Sequence, residues 1–257
     1  MNYRRRKREY QHEEAHSDEE ASQGLAVDHD LVFSGTAELV ETQEALERVI
    51  AAARASGEVA YDTEFIGEEN YYPRICLVQL GTTEMVALID PVAVDDMAPV
   101  WELLTDPSIR KIVHAGSVDL KHVQRETGIS PENVIDTQIA SALSGLPWPV
   151  GLARSIESFC GKRLGKGHTF TNWDARPLSK QQLRYAADDV RYLSYLWSVL
   201  RSDLEQRGTL DWALKECATR LAMDDGFDPD PQSRRASKGM HLKPRAQAIL
   251  RAMVLER

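Results

Sequence analysis

The sequence predicts an α/β fold, a mixed β-sheet flanked by helices. Three observations predict it. Three strand-like runs follow one another closely between residues 58 and 90. Short apolar strands then alternate with helix-length segments from about residue 96 to 160, which packs helices on the faces of a sheet. Finally, 42% of the 257 residues are hydrophobic, enough for one sizeable core plus a small extension.

The elements follow in order. Residues 1–30 have little apolar content, with a basic block from Arg4 to Arg8 ahead of an acidic run from Glu13 to Glu20, and read as a disordered tail. Thr42 is a capping residue type, and Leu46, Val49, Ile50 and Ala53 recur at helical spacing, so a helix is predicted to about Arg54. E58-V-A-Y-D-T-E-F65, R74-I-C-L-V-Q-L80 and M85-V-A-L-I-D90 read as strands, with turns at Gly67–Pro73 and at G-T-T. Their close succession predicts an antiparallel start to the sheet. Helices are then expected over about 96–104, 119–127, 137–143 and 151–160, and short strands over 112–114 and 134–136. A glycine-rich basic loop, G161-K-R-L-G-K-G167, precedes one long helix over about 179–207. Ser179 and Gln182 form a capping-box pair at its start. Pro244 suits the first turn of a last helix.

Three domains are expected: the tail at 1–30, a main domain at 31–222, and a linker with the start of a truncated or absent helical region at 223–257. Apolar runs of 18 or more residues are lacking, so no membrane span is expected. The basic start has no following apolar stretch, so no secretory signal is expected. Cys76, Cys160 and Cys217 lack metal-ligand spacing; Cys76 and Cys160 read as buried thiols, and a cytoplasmic setting is the default. The net charge of -9 argues against broad, non-specific DNA coating. It leaves room for a nucleic-acid enzyme whose positive charge is confined to a groove.

Carboxylates carry the functional signal. Asp62 and Glu64 are two apart on a strand and project to one face, among Val59, Tyr61, Phe65 and Ile66. They are either solvated acids near a strand end or a pair whose repulsion and lost hydration a cation offsets. Asp119 stands at a helix start after a short strand, where it serves either the helix dipole or a convergent site. Asp136 is placed to cap the next helix. In Y185-A-A-D-D-V-R-Y192, Asp189 shares a face with Tyr185, Tyr192 and Leu196, whereas Asp188 shares one with Arg184 and Arg191. Asp189 is therefore the better interior acid, and Asp188 meets water or pairs with an arginine. Four hard oxygen donors, Asp62, Glu64, Asp119 and Asp189, suit Mg²⁺ or Mn²⁺, and two such ions roughly 3.5–4 Å apart can clamp a phosphodiester.

D62-T-E64 within Y61-D-T-E-F65, H114-A-G-S-V-D119-L120 and Y185-A-A-D-D189 occur in that order. Together with Y71-Y-P-R-I-C-L-V-Q-L80, A87-L-I-D-P91 and W173-D-A-R-P-L178, they resemble the ribonuclease D family, the tyrosine-bearing branch of the DEDD 3′–5′ exonucleases. The resemblance covers about residues 31–222. It implies a ribonuclease-H-like fold and stepwise release of nucleoside 5′-monophosphates from RNA 3′ ends by two divalent ions, Mg²⁺ or Mn²⁺. It implies metal-ligand roles for Asp62, Glu64, Asp119 and Asp189, and a water-orienting role for Tyr185. Family enzymes act on tRNA precursors and other small RNAs. Bacterial members continue into helical HRDC domains, of which the resemblance leads us to expect only the entry here, from about Ser233. His168, in K166-G-H-T-F-T-N-W173, is a rival to Tyr185 as proton acceptor.

For the RNA 3′ end, residues 161–184 hold Lys162, Arg163, Lys166, Arg176, Lys180 and Arg184 against Asp174 alone, six positive charges less one negative, or +5. This segment either leads phosphates inward or is a solvated loop. Phe65, Tyr71, Tyr72, Phe170 and Trp173 are either core residues or base-stacking partners for a single strand. Gln79 and His114 read either as hydrogen-bonding groups behind the site or as satisfied core residues, and with Phe65, Lys166, His168, Trp173 and Arg176 they complete the expected substrate-binding set. The alternatives are a 3′–5′ DNA exonuclease and an inactive RNA-binding scaffold. The scaffold usually lacks a catalytic acid, and none is missing here.

Overall fold

The computed structural model describes residues 28–66, 73–164, 172–221 and 229–255. The chain divides into two units, Met1–Leu221 and Ala222–Arg257. The first is an α/β unit built on a six-stranded mixed sheet of order β1-β4-β3-β2-β5-β6. Its strands are β1 (Glu38–Val40), β2 (Glu58–Ile66), β3 (Arg74–Gly81), β4 (Val86–Ile89), β5 (Arg110–Val113) and β6 (Val134–Asp136). β2, β3 and β4 pair antiparallel, as their close spacing requires. β1 joins β4, and β5 and β6 extend from β2, all in parallel.

Helix α1 (Gln43–Ser56) starts at Thr42, whose side chain accepts from the Ala45 N–H, and buries Leu46, Val49, Ile50 and Ala53 as their spacing predicts. Helices α2 (Ala98–Thr105) and α3 (Ser117–Thr127) pack with it in one layer. The remaining helices of this unit are α4 (Thr137–Leu143), α5 (Leu152–Cys160), α6 (Lys180–Arg191), α7 (Leu193–Gln206) and α8 (Leu210–Leu221). α6 lies across β2, β3 and β4, while α7 packs on α4, α5 and β5. The single long helix expected over 179–207 is therefore two. Its break falls at Tyr192, because one straight helix cannot cover both neighbourhoods; Tyr192 (φ −100°, ψ −5°) turns the chain and stays buried. The capping box of Ser179 and Gln182 forms as expected.

Gly81 admits α6 close to the sheet. A Cβ there would stand 3.0 Å from the Val190 carbonyl oxygen and 3.1 Å from Val190 Cβ. The 172–178 segment is tied to the sheet by Arg176. Its guanidinium meets both Asp90 oxygens at 2.5 and 2.9 Å and donates to the carbonyls of Trp173, Ala175 and Cys76. Burial works to raise the Asp90 pKa, but the Arg176 bonds and nearby backbone N–H groups hold it below the usual carboxylate range. Asp90→Ala leaves that cation without its anion and is expected to cost about 3 kcal/mol in urea unfolding.

Ordered packing starts inside the tail predicted for 1–30, since His29 stacks on Tyr195 at 4.0 Å between ring centroids. Residues 1–27 lie outside the described residues. Cys76 is buried, whereas Cys160 is only partly so. The second unit contains α9 (Pro229–Ala236) and α10 (Pro244–Leu255), which pack together. Pro244 begins α10 as expected; α8, α9 and β1 were not legible as elements. Among the described residues, no helix is long and apolar enough to cross a membrane.

Candidate active site

Strand β2 is the sheet's centre and carries two sets of side chains. Tyr61 and Thr63 face α3: the Tyr61 hydroxyl donates to the Asp119 carbonyl at 3.3 Å, and the Thr63 hydroxyl donates to Asp119 Oδ1. Asp62 and Glu64 alternate with them and project to the other face, toward α6. α6 delivers Tyr185 and Asp189 one turn apart. Carboxylate oxygens of Asp62, Glu64 and Asp189 lie within 4.8 Å of one another.

Asp119 stands beside this trio rather than within it. Its placement comes from the turn ahead of α3. Asp136 caps α4 through the Gln138 N–H (2.8 Å), and the same oxygen accepts from the Ala115 N–H at 2.9 Å. Ala115 has a positive φ of 58°, and this bond holds it there. Gly116 follows so close to Val113 that a Cβ would fall 2.5 Å from Val113 Cβ. The cap role expected of Asp136 thus extends to shaping the turn that leads to Asp119.

Burial and mutual repulsion set the electrostatics. Desolvation, then Asp119, Asp189 and Glu64, push Asp62 well above the usual carboxylate range. Desolvation with Asp189 and Asp119 raises Glu64 to about 8. Asp189 is raised to about 7, mainly by desolvation, although a hydrogen bond from Tyr185 works against it. Asp119 is raised by burial despite the Thr63 hydroxyl. Asp189 Oδ2 is buried without a hydrogen-bond partner. Crowded, desolvated acids with an unpartnered oxygen fit divalent cations: two such ions bring four positive charges to four carboxylates. Asp188 turns away and pairs with Arg191 at 3.3 Å, as its helix face predicts.

Tyr185 is half-buried, and its ring lies 6.2 Å from that of Trp173. Desolvation, then the charges of Asp189, Glu64 and Asp62, raise its phenol above the ordinary tyrosine value. It therefore stays protonated at neutral pH.

The expected substrate-binding residues are placed variously. Phe65 is partly exposed, with its ring 5.0 Å from His122. Trp173 is only 5% exposed and packs in the core, and Gln79 is fully enclosed. All five N–H donors of Arg176 are committed within the fold. Both His114 ring nitrogens are engaged, with Thr137 Oγ1 at 2.9 Å and the Val150 carbonyl at 3.0 Å. Among these five, Phe65 alone combines an exposed edge with no hydrogen-bonding duty. Lys166, His168, Phe170, Tyr71 and Tyr72 lie outside the described residues. In the basic segment, Arg163 pairs with Glu157 at 2.7 Å. Sequence reasoning missed Thr63, whose place between two acids on an alternating strand was the available signal.

The mixed sheet, with acids delivered from its central strand and from two flanking helices, defines a ribonuclease-H-like exonuclease fold. A family model described as 3′–5′ exonuclease matches residues 37–205, and the chain belongs to that family. Within it, the chain is 37% identical to ribonuclease D of Escherichia coli (strain K12) over 217 residues, covering 84% of this chain and 58% of that protein. The crystal structure of E. coli RNase D superposes with a TM-score of 0.76, covering 86% of this chain and 59% of that one. The catalytic core of RRP6 from Trypanosoma brucei gives 0.68 at 26% identity, covering 86% and 66%. NrnC of Brucella melitensis, solved bound to pGG, gives 0.62 at 29% identity, covering 76% and 99%. The chain thus spans less than two thirds of the length of E. coli ribonuclease D.

Proposed function

We propose that this protein is a metal-dependent 3′–5′ exoribonuclease. It takes RNA with a single-stranded 3′ end, including tRNA precursors, and releases nucleoside 5′-monophosphates in the cytoplasm. The observation that carries this reading is the convergence of Asp62, Glu64 and Asp189 oxygens within 4.8 Å, with Asp119 alongside. Asp62, Glu64, Asp119 and Asp189 would hold two Mg²⁺ or Mn²⁺ ions, which supply charge neutralisation at the scissile phosphate and a water of lowered pKa.

Tyr185 holds the attacking water. Its phenol is kept protonated by burial and by the acids around it, so it acts by hydrogen bonding and does not take up the water's proton. Its bond to Asp189 fixes the ring's direction, and Trp173 packs beside it. Phe65, next to Glu64 in the sequence, presents a partly exposed ring beside His122, suited to stacking the terminal base. Lys166 and His168 are assigned to the backbone of the 3′ end, and Arg163 and Lys162 to drawing phosphates inward.

Tyr185→Phe is expected to lower kcat about 10²-fold while KM moves little, as for loss of a group that acts on the water rather than on the RNA. Single-turnover digestion of a labelled oligoribonucleotide checks this. The substrate class is tested by matched RNA and DNA single strands and pGG, with products identified by chromatography. RNA shortened faster than DNA, with 5′-monophosphate products, is the expected result. Faster DNA trimming would replace RNA by DNA in this reading, and binding without cleavage would make the protein a scaffold.

A further inference from the structure

Gln79 is the least explained polar side chain near the acids. It is wholly buried on β3, and neither its amide oxygen nor its amide nitrogen has a hydrogen-bond partner. Leaving such groups unpaired costs about 1–3 kcal/mol. Its neighbours on the same strand face are Leu77 and Gly81, so the strand has no need of a polar group there for its own sake.

Register decides what the amide can meet. Gln79 is the direct cross-strand partner of Asp62 in the antiparallel β2–β3 pair. Opposite residues share a face, with Cβ atoms about 4.5–5.5 Å apart. Helix α6 closes that face, as the approach of Val190 to Gly81 shows. The inward residues of α6 are Ala186, Ala187, Val190 and Gln182, and the Gln182 amide is already bonded to Ser179 N–H and the Asn172 carbonyl. The same helix brings Asp189, whose Oδ2 is likewise buried and unpartnered.

We infer that Gln79 is a positioning residue for the metal-binding carboxylates: its amide N–H group, without a partner in this structure, stands opposite Asp62 and takes up that carboxylate's inward edge when a cation binds the outward edge. This rests on the metal site proposed above. An amide suits the task because it donates to a carboxylate without adding a positive charge that would repel the ion. Groups that orient metal ligands in this way set affinity as well as geometry.

Mn²⁺ binding to the metal-stripped protein tests this, read by electron paramagnetic resonance and calorimetry, alongside thermal unfolding. Gln79→Leu and Gln79→Met keep an apolar filling of similar size and remove the amide. Both are expected to weaken Mn²⁺ binding about 10- to 100-fold, with the metal-free Tm unchanged or raised. Mn²⁺ binding within about twofold of the parent in either folded variant overturns the inference, because a merely buried glutamine would behave that way. Asp62→Asn is the control. If it binds Mn²⁺ as the parent does, the metal site itself fails; if it loses binding while both Gln79 variants keep theirs, only the role of Gln79 fails.

Discussion

Asp189→Asn is expected to abolish turnover, by about 10³-fold or more, while leaving the fold intact. The substitution is isosteric, and an amide oxygen still accepts from the Tyr185 hydroxyl that bonds Asp189. What it removes is a charge from a desolvated cluster in which Asp62, Glu64 and Asp189 oxygens lie within 4.8 Å. Its buried Oδ2 has no partner, so no internal hydrogen bond is lost there. The metal-free variant should therefore unfold at a higher temperature than the parent at pH 8, where Asp189, raised to about 7, is otherwise ionised beside its neighbours. Inactivity with raised metal-free stability separates loss of a site from loss of the fold; calorimetry beside a single-turnover assay reads both.

The second large effect is a pH dependence that metal reverses. Glu64 is raised to about 8 and Asp189 to about 7, and Asp62 also lies well above its ordinary value, with desolvation the leading cause in each case. A carboxyl raised in the folded state keeps a proton that the unfolded chain gives up. The stability it contributes is complete below about pH 4, the unfolded carboxyl range, and is lost as pH rises through 7 and 8. Stripped of metal, the protein should lose on the order of a few kcal/mol between pH 5 and pH 8 from this cluster. Mn²⁺ or Mg²⁺ should restore stability at pH 8 and do little at pH 5, where protons occupy the same oxygens. Binding at pH 7 should release protons, measurable by calorimetry in buffers of different ionisation heat.

Much of this site was legible in the sequence because its signals are local. Strand alternation puts Asp62 and Glu64 on one face, and helix periodicity sends Asp189 inward and Asp188 to Arg191. The capping box at Ser179 and the apolar spacing of α1 were equally local. What escaped depends on contacts distant in sequence. The break at Tyr192 answers to the two neighbourhoods that α6 and α7 must cover. Arg176 looked available to RNA, but Asp90, 86 residues earlier, takes its guanidinium. Trp173 read either as a core residue or as a stacking partner, and only the fold shows that it is buried near Tyr185. The Thr63 bond to Asp119 spans 56 residues and has no local signature. β1 has three residues and gains meaning only from its pairing with β4.

The most direct measurement is digestion of a 5′-labelled RNA with a single-stranded 3′ tail, with Mn²⁺ or Mg²⁺, beside an EDTA control and the Asp189→Asn protein. A ladder that shortens from the 3′ end with metal, and vanishes in both controls, is the result expected of these four carboxylates. Equal shortening by the Asp189→Asn protein, or shortening that survives EDTA, would contradict the assignment of the cluster as the catalytic metal site.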